Sequence, residues 1–220
     1  MPFTLCHFLR FGENGRLPVR ANPILPTAAN TAETQADYSG PPMHVVKELS
    51  RQLEKWRTLL PQALQWNDQD RSRTAVDSPV ELGNSHLRSR YYYACFMIYR
   101  PFVYKALHFP AQMSEEDSYY TAQCLQASML WPISMDPAKM RKRLIPYLFA
   151  WTQNFLGVLL ILRMATVNPT LMSIAERHLD SVDVEKTIEL LLDWFRDMRQ
   201  VDGMAAWSWS VLSRLYQDVL

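Results

Sequence analysis

Three cysteines, Cys6, Cys95 and Cys124, and five histidines, at positions 7, 44, 86, 108 and 178, carry all the thiol and imidazole chemistry of this 220-residue chain. A binuclear zinc cluster takes six thiolates in two closely spaced groups, because each ion wants four soft ligands within reach. The chain has no Cys-x-x-Cys, no His-x-x-x-His and no His-Glu-x-x-His. The sequence therefore predicts no metal site, and Cys95, on an apolar face, reads as a small core residue. Nucleophilic and phosphate chemistry fare no better. Gly-x-Ser-x-Gly, Gly-x-Gly-x-x-Gly and the phosphate-loop pattern are all missing, and the expectation is a chain that is not an enzyme. The carboxylates Glu115, Glu116 and Asp117 follow Ser114 at a helix start, where the macrodipole favours them, and Ser114 with Asp117 forms a capping box with Asp in place of Glu. Lys139, Arg141, Lys142 and Arg143 read as a solvated loop.

The elements that would position any such residues come from the apolar pattern. Six glycines supply few tight turns, which disfavours a doubly wound nucleotide fold or a many-turned sandwich. Lysine and arginine total 23 against 22 acidic residues. A net charge of +1 gives no field that would draw in nucleic acid, whose affinity depends on neutralising many phosphates. The odd, scattered cysteines are not a disulfide framework and suit a reducing compartment. The apolar opening at Phe3, Leu5, Phe8 and Leu9 is interrupted by Gly12 and Glu13, and does not read as a secretory signal.

Residues 1–42 carry no helical or strand period and are expected to be an unstructured tail or linker. From Val45 the character changes. Val45, Leu49, Leu53, Trp56 and Leu60 recur three or four apart and predict a helix that Pro61 stops. A polar connection over 62–83 leads to a second helix capped at Asn84 or Ser85 and running to about Phe109, apolar around much of its circumference and therefore central. Pro101 lies inside it and is expected to kink it near Met97. Further helices are predicted over 114–131, 146–165 and 168–178, then from a cap at 180–183 to Gly203, and finally over 206–216. The fold class is all-α, about seven helices in an irregular bundle with no strand.

Residues 144–162, from Leu144 to Leu162, form nineteen positions without a charge beside the basic cluster. A membrane-associated protein anchored by this helix is the alternative reading. Pro146, Gln153 and Asn154 in the span argue for a core helix instead, because amides find partners against other helices and none in lipid. The tyrosine-rich run from Tyr91 to Tyr104 reads as core filling rather than as a ligand pocket. Arg100 within it is expected to meet a carboxylate or a helix C-terminus, since a guanidinium is seldom buried unpaired.

At this helix a family resemblance becomes specific. The stretch Leu87-Arg88-Ser89-Arg90-Tyr91-Tyr92-Tyr93-Ala94-Cys95-Phe96-Met97-Ile98-Tyr99-Arg100-Pro101-Phe102 and its continuation to His108 resembles the Arg-Pro-Phe helix in the regulatory (middle homology) domain of fungal zinc-cluster transcription factors. Leu53-Glu54-Lys55-Trp56-Arg57-Thr58-Leu59-Leu60-Pro61, with Leu64 and Trp66, is similar to the helix that precedes it. The apolar helix before Arg163 and the closing segment from Trp194 to Tyr216 also fit. The resemblance covers about residues 45–216 and marks Trp56, Tyr91, Arg100, Pro101 and Phe102 as structural motif residues. It implies a helical regulatory domain over 43–220, matching the later half of the family's domain. It also implies transcription control in the nucleus through protein partners, with room for a small-molecule effector; apolar faces left uncovered in a half-domain predict self-association, and the amides in the 144–162 span predict no membrane. The family's cysteine cluster does not occur here, so DNA contact and zinc are expected only from an upstream module, and this chain is expected to need no cofactor.

Overall fold

The computed structural model describes residues 40–68, 79–135 and 148–219. Within them lie seven α-helices: α1 (Met43–Thr58), α2 (Pro79–His108), α3 (Glu115–Met135), α4 (Leu148–Val167), α5 (Pro169–His178), α6 (Ser181–Met198) and α7 (Gly203–Leu215). No strand occurs among the described residues. The all-α reading holds. The segment 1–39, the basic cluster at 139–143 and the start of the 144–162 span lie outside the described residues.

Several boundaries differ from the sequence reading, each for a local reason. α2 begins at Pro79 rather than at Asn84 or Ser85, because proline is pre-set for a first helical turn and Gly83 is tolerated inside. Pro101 sits within α2, which runs as one 30-residue helix. α3 likewise passes through Pro132 to Met135 instead of stopping at Trp131. Gly203 opens α7 rather than closing α6: Asp202 Oδ1 accepts from Met204 N at 3.0 Å as its N-cap. Asn168 and Asp180 cap α5 and α6 in the same way.

One apolar cluster takes side chains from every helix, from Val46 on α1 to Leu212 on α7 and Tyr216 just beyond it. α2 and α3 form its most extensive pair, with α1 packed on α2, α4 to α6 against α3, and α7 against α4 and α6. From Tyr120 to Ser134 every residue of α3 is buried except Gln123, Gln126 and Ile133, which are half-buried. Its polar letters are satisfied locally. Thr121, Ser128 and Ser134 each return a hydroxyl hydrogen bond to the carbonyl four residues earlier, at 2.8, 2.8 and 2.7 Å. A buried hydroxyl left without a partner costs about 1–3 kcal/mol; this folding-back removes that cost and lets the whole circumference enter the core.

α4 supplies Phe155, Val158, Leu159 and Leu162 to that core. No single described helix is long and apolar enough to cross a membrane. Trp151–Val167 and Pro169–His178 pass that test only as a pair, and they are bent by 99°. Six aromatic rings from four helices touch in sequence around Trp131: Tyr93 and Phe96 at 4.9 and 5.8 Å, Trp151 and Phe155 at 5.9 and 5.1 Å, and Trp194 against Phe155 at 5.3 Å. Offset and edge-on contacts of this kind add to the area they bury.

Candidate functional site

α1 lies antiparallel on α2, and the motif residues fall at the two ends of that contact. Midway, Tyr99 Oη donates to Ser50 Oγ at 2.9 Å. Toward the end of α1 the half-buried ring of Trp56 stacks on Tyr91, with centroids 6.4 Å apart and planes 16° from parallel. Tyr91 Oη donates to Glu54 Oε1. Trp66, in the extended segment after α1, meets Tyr91 edge-on at 5.4 Å and donates from Nε1 to Tyr92 Oη at 3.1 Å.

Arg57 binds this aromatic group together. Its guanidinium lies 4.9 Å from the Trp66 ring centre and 5.0 Å from that of Tyr91. Nη2 and Nη1 grip the two oxygens of Asp68 at 2.7 and 3.0 Å, the fork geometry for which arginine is suited. Asp68 also accepts from Tyr92 Oη. Burial, reinforced by nearby acidic charge, pushes both tyrosine phenols well above their ordinary range, so both remain donors at neutral pH. The arrangement fastens the segment 61–68 to α1 and α2. The ring stacking, the forked ion pair and the two phenol–carboxylate hydrogen bonds together make a clasp between these segments.

At the other end, where α1 begins, a pocket of about 310 Å³ opens between Pro41, Pro42 and Met43 and the α2–α3 corner. Pro101, Phe102, Lys105, Gln112, Ser114 and Asp117 are part of its lining. Phe102 is buried against Tyr120, 5.0 Å between rings. Asp117 Oδ2 accepts from Lys105 Nζ at 2.7 Å, Ser114 N at 2.8 Å and Ser114 Oγ at 2.7 Å, while Asp117 N donates back to Ser114 Oγ at 3.1 Å. The capping box read from the sequence is thus formed, with a lysine added. Burial pushes the Asp117 carboxyl upward, but the hydrogen bonds from Lys105 and Ser114 outweigh it and hold the group below its ordinary value.

The motif residues are therefore divided. Trp56 and Tyr91 meet; Pro101 and Phe102 line the pocket; Arg100 joins neither group. The expectation of a buried, paired Arg100 is corrected: the residue is exposed, and its guanidinium lies 6.0 Å over the Phe96 ring. A long cationic side chain can cover apolar surface with its stem while its charge stays in water.

Arg57, Asp68, Lys105 and Gln112 were not legible as site residues. Arg57 and Asp68 are eleven positions apart and Lys105 and Asp117 twelve, Gln112 enters only as pocket lining, and nothing in the local pattern announces these relations. Among the described residues no three histidine, cysteine or acidic side chains converge as a metal site would require. Cys95 and Cys124 are buried, and burial pushes each thiol up to about 12. Neither a protein-family model, nor a curated protein, nor a solved structure matches the chain.

Proposed function

We propose that this chain is a regulatory and protein-interaction domain of a zinc-cluster type of transcription factor, acting in the nucleus and reaching DNA only through a module outside it. The observation that carries the reading is the contact between the two stretches on which the resemblance rests. The Trp56 helix packs along the Arg-Pro-Phe helix, with Trp56 stacked on Tyr91. The clasp and the pocket at the two ends of that contact offer recognition and support.

Protein contact has a surface to use. Leu160, Met164 and Val167 follow one another four and three residues apart on α4 and are 38%, 37% and 59% exposed. That spacing puts them on one face, an apolar stripe suited to packing against another chain. With a net charge of +1, the chain is expected to show no sequence-selective binding to duplex DNA by itself.

The test is a fusion of the full chain to an unrelated DNA-binding domain upstream of a reporter. The reading requires the fusion to raise or lower transcription relative to the DNA-binding domain alone at matched nuclear levels. Reporter output indistinguishable from that control would overturn it.

A further inference from the structure

The pocket at the start of α1 has a chemistry that narrows what it can hold. Pro41, Pro42, Met43 and Pro101 give its lining apolar surface, with Phe102 almost fully buried among them, and Lys105, Gln112, Ser114 and Asp117 give it polar groups. The side chains of Lys105 and Asp117 are only 17% and 6% exposed and sit 2.7 Å apart. Their charges cancel, so the pocket has no net field to attract an ion. A carboxylate placed on Lys105 would also stand against the Asp117 carboxylate that already holds that ammonium. Hydrogen-bonding capacity remains all the same. An ammonium has three donors, of which Asp117 takes one, and a glutamine amide brings two donors and an acceptor.

We propose that this pocket binds an uncharged small molecule, laid with an apolar face on the proline rings and Met43 and accepting hydrogen bonds at a carbonyl oxygen from Lys105 and Gln112. The volume of about 310 Å³ allows a ligand on the order of ten non-hydrogen atoms, taking about 30 Å³ for a water-sized unit. The molecule touches the residues that lead into α1, the C-terminal part of α2 and the first turn of α3, so it ties three elements at one corner. The inference rests on the regulatory reading, for which such a molecule would be the effector.

Benzamide, with one ring and one neutral carbonyl, is the probe. In the full chain labelled with ¹³C at the methionine methyls, the Met43 signal is followed during titration, with benzoate as the charged counterpart. Benzamide is expected to shift Met43 saturably, and benzoate to bind about tenfold more weakly, a difference of about 1.4 kcal/mol. Gln112 lies half-buried in the short turn Pro110–Gln112. Gln112→Leu should therefore weaken benzamide several-fold while leaving the melting midpoint of the free chain in place. No saturable shift, equal binding of benzoate, or unchanged affinity in Gln112→Leu overturns the proposal. The titration reads binding alone, so its failure is separable from a silent reporter fusion.

Discussion

Thr187 on α6 donates its hydroxyl to the backbone carbonyl of Met129 on α3, 3.3 Å away, and both residues are buried. The contact falls beside an interruption in α3. Pro132 has no N–H, so the Ser128 carbonyl loses its helical donor, and the proline ring crowds that same carbonyl. A side chain from a neighbouring helix thus supplies a donor one residue along from the gap. Thr187→Val keeps the shape and removes the donor. The expected loss is about 1 kcal/mol, read as a lower urea midpoint with an unchanged slope; a midpoint equal to that of the parent chain would show that the contact contributes nothing.

Arg57 and Arg100 lie in adjacent helices of the motif, and their replacements should behave differently. Arg57→Met removes the forked bond to Asp68 and the cation over Trp66 and Tyr91, and should cost about 2 kcal/mol, as for hydrogen bonds to charged groups. Arg100→Met takes away an exposed side chain and should stay within about 0.5 kcal/mol of the parent. Thermal melts of the two variants side by side decide this, and the reverse order would refute the clasp.

Acid should act through Asp117. Its carboxyl is held below the usual 3.8 in the folded chain, so its contribution to stability is fully present above the unfolded value and fades as pH falls through the folded one. Melting midpoints should therefore drop as the pH goes below about 4. Asp117→Asn should start lower at pH 7 and lose less in the acid window. Lys105→Met strands the carboxylate and is expected to cost on the order of 3 kcal/mol at neutral pH. An acid profile of Asp117→Asn parallel to that of the parent would assign the loss to other groups.

The thiols give a fourth check. With burial pushing Cys95 and Cys124 up to about 12, almost no thiolate is present at pH 8. Both should react with a disulfide reagent only as fast as the chain unfolds, and promptly in denaturant. Rapid modification of either in the native chain would contradict its burial.

Much of the helical order was legible because apolar spacing, prolines and caps act locally: Asn168, Asp180 and Ser114 are all used as their residue types suggest. The depth of α3 was hidden. Thr121, Ser128 and Ser134 are residue types that mostly lie at a surface, and their backbone-directed bonds make them compatible with a core. The site was half legible. Trp56 and Tyr91 were marked and do meet, but Asp68 fell within the polar connection and Lys105 within the second helix, with no role assigned to either. Their roles arise when chain segments come together, a relation that a local pattern does not encode.

Tyr216 carries a consequence for how the molecule is made. Its ring is 1% exposed, its hydroxyl donates to the Leu159 carbonyl at 2.6 Å, and the Arg163 guanidinium lies 5.5 Å over it. Of the side chains in the core cluster it is the last to be synthesised. While the ribosome is still adding α7, the flank of α4 that this ring closes faces water, so final docking waits until Tyr216 has emerged. A chain interrupted within α7 is therefore expected to leave that apolar flank open to chaperones and proteases, and a chain that carries Tyr216 to close it.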